Sequence, residues 1–76
     1  MNREQEALEA LRESIYAALD RRDYPAARQA IDRLRPGHEA EALGLLASLA
    51  IESGDAAEAE NAVTALEKIA AQDVYT

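Results

Sequence analysis

Residues 38–54 read HEAEALGLLASLAIESG, and their apolar side chains point in most directions around a helix. Leu43, Leu46, Ala47, Ala50 and Ile51 mark one face, while Leu45 and Leu49 point away from it. A helix that is apolar on most sides is normally covered on most sides. The stretch therefore predicts a central helix with the rest of the chain packed around it.

The surrounding chain has to supply that cover from 76 residues, which make a single domain over 1–76. A chain this short buries only about 60% of the surface that its unfolded form exposes. It has no cysteine, so neither a disulfide nor a thiolate-bound metal staples it. Ala, Leu, Glu and Arg, all good helix formers, are abundant, and Phe and Trp are absent. The expected fold class is all-α.

Working outward, the segment from about Arg3 to about Arg22 places Leu8, Leu11, Ile15, Ala18 and Leu19 on one helical stripe. Asn2 and Gln5 are positioned for a capping box at its start. Glu4 and Glu6 in the first turn, and Arg21 and Arg22 in the last, suit the helix dipole. Asp23-Tyr24-Pro25 ends this helix and caps a short second one, about Tyr24–Leu34, with Ala27, Ala30, Ile31 and Leu34 as its stripe. Arg35-Pro36-Gly37 separates it from the central helix. After Gly54, Asp55 and Glu58 have the spacing of a D-x-x-E capping box. The fourth helix is expected from about Ala56 to about Ala71, with Ala59, Ala62, Val63, Leu66, Ile69 and Ala70 as its stripe. Residues 72–76 carry no periodic signal and are expected to fray.

Moving the chain by 32 residues lays one half on the other. Leu11 falls on Leu43, Ile15 on Ala47, Ala18 on Ala50 and Leu19 on Ile51; beyond the turn, Asp23 falls on Asp55, Ala27 on Ala59, Ile31 on Val63 and Leu34 on Leu66. Each half, about 3–35 and about 38–71, is then one antiparallel helical hairpin. Ala27 and Ala59 occupy positions where paired helices approach closely.

The second half, with Leu46-Ala47, Gly54-Asp55, Ala59, Val63, Leu66 and Ile69, resembles a tetratricopeptide repeat. The first half resembles it more weakly: Arg22-Asp23 replaces Gly-Asp, Ser14-Ile15 replaces the large–small pair, and Pro25 enters the second helix early. The family's usual period is about 34 residues, so the second helix of the first half or its exit loop is shortened. The resemblance implies two hairpins in a right-handed array; a four-helix bundle is the alternative.

The formal charge is −7. Residues 1–38 balance seven arginines with seven carboxylates, so the whole excess lies in residues 39–76, where Lys68 faces eight carboxylates. Such a surface repels nucleic-acid phosphate and anionic membranes and suits basic partners. Arg21, Arg22, Arg28, Arg33 and Arg35 cluster around the first hairpin, where a solvated face partly paired with Asp20, Asp23 and Asp32 is the expected arrangement. The N-terminal segment has no apolar core of a secretory signal, and no apolar run is long enough for a membrane span. The expected location is cytoplasmic.

Little here points to catalysis. His38 is the only histidine, and a lone histidine with flexible Glu39 or Glu41 makes a poor metal site, so an exposed N-cap position is expected. Carboxylates a turn apart, such as Glu9 and Glu13, do acid–base work only in a pocket that shifts their pKa values. Ser14, Ser48 and Ser53 lack a positioned base, and no glycine-rich phosphate loop occurs. No enzymatic activity, catalytic residue, cofactor or metal is expected.

The resemblance also implies a concave groove lined by the first helix of each hairpin. Carried over, the lining is Glu9, Arg12, Tyr16, Leu19 and Asp20, then Glu41, Gly44, Ser48, Ile51 and Glu52. Family members that clamp a peptide's terminal carboxylate use Lys, Asn and Arg there; only Arg12 fits that pattern. What remains is a mildly acidic groove with Tyr16 as an aromatic anchor, suited to a peptide or amphipathic helix of another protein, a basic one included. Repeat arrays generally need about three units or polar caps, so apolar surface near Leu45 and Leu49 or along the fourth helix is expected to seek a partner or a second copy of the chain. Small acidic helical chaperones of bacterial type III secretion systems are similar in size and charge.

Overall fold

In a computed structural model that describes residues 3–74, four α-helices form and no strand is present among the described residues. They are α1 (Arg3–Asp20), α2 (Tyr24–Leu34), α3 (Glu39–Ser53) and α4 (Ala56–Val74). The packed pairs are α1 with α2, α2 with α3, and α3 with α4. The backbone occupies a slab of 38 × 33 × 13 Å with a radius of gyration of 13.1 Å. A globular chain of this length has a radius near 11 Å, so the arrangement is flattened and open.

The core sits where α3 meets the first two helices. Ile15 and Ala18 of α1, Ala27, Ala30, Ile31 and Leu34 of α2, and Ala42 and Leu49 of α3 form one buried cluster. Leu45 and Leu46 pack against its edge. The two leucines that point away from the main face of α3 therefore have internal partners. On the α4 side, Leu43, Ala47 and Ala50 of α3 and Ala62 of α4 are buried. Much of this core is alanine, which lets the helices approach closely.

The two tight turns are built alike. The Asp23 amide donates to the Ala18 carbonyl at 2.8 Å, and the Asp55 amide donates to the Ala50 carbonyl at 2.8 Å. One residue earlier, the Arg22 amide donates to Leu19 at 3.0 Å and the Gly54 amide to Ile51 at 3.2 Å. Both sets are the paired bonds of a Schellman ending. Each aspartate then caps the next helix: Asp23 Oδ1 accepts from the Ala26 amide at 3.3 Å, and Asp55 Oδ1 from the Glu58 amide at 3.0 Å. The 32-residue correspondence thus extends from side-chain pattern to backbone hydrogen bonds.

Both Schellman endings need a left-handed residue, with φ 58° at Arg22 and 84° at Gly54. That conformation costs a residue with a Cβ about 1–2 kcal/mol, and glycine far less. A Cβ built on Gly54 meets nothing within 4 Å, so a substitution there is opposed by the backbone alone. Gly54→Ala is expected to lower stability by about 1 kcal/mol, and Arg22→Gly to raise it by a similar amount. In thermal melts followed by circular dichroism, each step corresponds to about 4–8 °C. A lower melting temperature for Arg22→Gly would contradict the assignment.

Several expected boundaries differ. The left-handed Arg22 ends α1 at Asp20, so Arg21 and Arg22 lie in the turn, outside the last helical turn. At the other end α4 continues through Gln72 to Val74, where fraying was expected; helix formers such as Ala70, Ala71 and Gln72 extend it without any breaker. The D-x-x-E box is only half made. The Glu58 carboxylate reaches Arg28 of α2 instead, Nη2 to Oε1 2.6 Å, and the Asp55 amide it would have bound already donates to Ala50. The Asn2 cap falls outside the described residues, as do Tyr75 and Thr76 of the expected frayed tail.

Candidate partner-binding face

Helical spacing puts Glu9, Arg12, Tyr16, Leu19 and Asp20 along one side of α1, and Glu41, Gly44, Ser48, Ile51 and Glu52 along one side of α3. A two-pronged ion pair joins these sides. Arg12 Nε donates to Glu41 Oε2 at 2.6 Å and Nη2 to Oε1 at 2.8 Å, with both side chains about two-thirds covered. Parallel bonds of this kind fix geometry as well as charge. The bond to Arg12 holds the Glu41 carboxyl below its ordinary pKa against partial desolvation, and His38 adds to the lowering. The same bond raises the pKa of the Arg12 guanidinium.

One helical turn beyond Arg12, the Tyr16 ring is 53% exposed. Glu9 and Asp20 are exposed on the same helix. Ser48 is exposed too, but its hydroxyl donates back to the Gly44 carbonyl at 3.3 Å. Leu19 shows only an edge, because it packs against the core. With Glu52 it lines a depression of about 230 Å³ closed by Arg22 and Tyr24. The Tyr24 hydroxyl lies 3.5 Å from the Glu52 carbonyl, a weak contact. Arg22 belongs to the turn after α1 and Tyr24 opens α2; their sequence position close to Leu19 and Asp20 is the signal for them.

Ile51 stands apart from the others. It is 69% exposed and shares a depression with Ala50, Gly54, Ala56 and Ala59, at the junction of α3 and α4. Of the residues expected to line one groove, the structure thus joins Arg12 with Glu41 and Leu19 with Glu52. Ile51 also opens onto the α4 side.

No protein-family model, curated protein or solved structure matches this chain. What the face can do follows from its chemistry alone.

His38 is exposed at the start of α3 and makes no side-chain capping bond. No group of three or more metal-ligating side chains occurs among the described residues. Ser14 and Ser53 donate to the carbonyls of Ala10 at 3.0 Å and Ala50 at 3.2 Å, so their hydroxyls serve the helix backbone. The arginine cluster is partly paired, though with other partners than the nearby aspartates alone. Arg28 binds Glu58, Arg35 lies 3.5 Å from Glu39, and Arg21 lies 3.8 Å from Asp23. No helix among the described residues is long and apolar enough to cross a membrane.

Proposed function

We propose that this chain is a protein-binding module that receives a peptide or helix of another protein across the α1–α3 face. The observation that carries the reading is Tyr16, a large aromatic ring left 53% exposed on α1. It stands beside an ion pair that holds α1 and α3 in register. An exposed tyrosine gives a large, rigid contact surface with a polar tip, the kind of side chain that anchors protein interfaces. The repeated Schellman turns and the 32-residue correspondence support a tetratricopeptide-like array, in which such a face is the expected binding surface. The net charge of −7 favours a basic ligand over nucleic acid or an anionic membrane.

The test is a pull-down from cell extract with the immobilised chain and its Tyr16→Ala variant, read by mass spectrometry. Tyr16 lies outside the core cluster, so the variant should keep its helical circular dichroism. A partner retained by the parent chain and lost by Tyr16→Ala supports the reading. Identical captured sets from two folded proteins would remove Tyr16 from it.

A further inference from the structure

The internal repeat allows each residue to be compared with its counterpart, and the two ends of the array differ. In the first half, Ile31 is 2% exposed, Ala27 and Leu34 are buried, and Leu19 is partly covered. Their counterparts 32 residues later are Val63, 44% exposed, Ala59 and Leu66, both only partly covered, and Ile51, 69% exposed. The chemistry is conserved between the halves, but the cover is missing. The cover in the first half is α3, whose Ala42 and Leu49 share the cluster with Ala27, Ile31 and Leu34. Nothing among the described residues plays that part for α4.

The opposite end is finished differently. The residues of α1 that correspond to Ala42, Leu45, Leu46 and Leu49 are Ala10, Glu13, Ser14 and Ala17, all exposed. This is a polar outer face of the kind that closes a repeat array. It also bears on what covers α4. A second copy stacked head to tail would offer Glu13 and Ser14 where α3 offers Leu45 and Leu46. Two copies meeting through α4 would set Glu60 and Glu67, which flank Val63 one turn away on each side, against the same residues of the other copy. Each copy also carries −7. Like charges brought together in an interface are costly.

We infer that the open α3–α4 face, centred on Ile51, Ala59 and Val63, docks an amphipathic helix of another protein that has an α3-like leucine–alanine stripe flanked by lysine or arginine. The stripe fills the place that α3 fills on α2, and the flanking cations meet Glu60 and Glu67. This site shares only Ile51 with the residues expected to line the groove beside Tyr16, and either stands without the other.

The probe is a fluorescent peptide of residues 39–53 in which Glu39, Glu41 and Glu52 are replaced by lysine; the unaltered peptide is the control. Fluorescence anisotropy at low salt should show saturable binding of the lysine peptide, about tenfold tighter than the control. Val63→Asp should weaken it by at least about tenfold, and Tyr16→Ala should leave it unchanged. The exposed pair Glu60→Lys and Glu67→Lys, checked by circular dichroism for an unchanged helical signal, should reverse the preference between the peptides. Equal binding to a folded Val63→Asp variant would overturn the proposal, as would a lysine preference that survives the charge reversal. Sedimentation of the parent chain at rising concentration closes the remaining route. A dimer that Val63→Asp returns to monomer would make a second copy the occupant and overturn the proposal.

Discussion

Leu49→Ala is expected to remove about 3 kcal/mol of stability, within the roughly 2–5 kcal/mol seen when a buried leucine is cut back to alanine. Leu49 is fully buried, and it is the large side chain that α3 contributes to the cluster with Ile15, Ile31 and Leu34. These neighbours lie on two other helices, α1 and α2, so a shift of one alone does not close the space it would leave. A chain of 76 residues has a total stability of about 4–11 kcal/mol, and a small, alanine-rich core belongs toward the lower end. The variant should therefore be largely unfolded in moderate urea where the parent chain is intact. Leu45→Ala, one turn earlier at the partly covered edge of the same cluster, should cost about 1 kcal/mol. Urea titrations of the three proteins, followed by helical circular dichroism, measure the difference. Equal losses at the two leucines would mean that α3 is covered evenly, against the packing described.

That distinction between Leu45 and Leu49 marks the limit of what the residues disclose by pattern. The four helices and the cap at Asp23 follow from local chemistry: apolar spacing, a short polar acceptor, a proline in a first turn. The repeat is also local in origin, since each half carries the same stripe and the same aspartate. The ion pairs are different. Arg12 with Glu41 and Arg28 with Glu58 join residues 29 and 30 positions apart. Their partners depend on how α3 and α4 settle, which no local spacing encodes. For the same reason Glu58 reads as half of a capping box and becomes the partner of an arginine. Arg22 does not read as a helix terminator, because its left-handed conformation is imposed by the turn and not by its own preference. Within the candidate face, the alignment of Arg12 and Tyr16 along α1 is readable from helical spacing. The opening of Ile51 toward α4 was not, because an apolar stripe looks the same whether its cover is present or missing.

The missing cover makes a second prediction about stability, from the same substitution at corresponding positions. Ala27 is fully buried between α1 on one side and α3 on the other. A leucine there has no space to enter, so Ala27→Leu should force the helices apart at a cost of about 2–3 kcal/mol. Ala59 has the same place on α4, packed on α3, but its other side opens onto the depression shared with Ile51 and Ala56. A leucine at Ala59 can turn outward over that surface and cover part of it. Ala59→Leu should therefore change stability by less than about 1 kcal/mol. At about 4–8 °C per kcal/mol, the melting temperature should fall by roughly 10 °C or more in the first variant and by only a few degrees in the second. Equal falls would show that α4 is as enclosed as α2, and the α3–α4 face would then have no room for a partner helix. A large fall at Ala27 alone fixes the open face of the fold at Ile51, Ala59 and Val63, independently of any ligand.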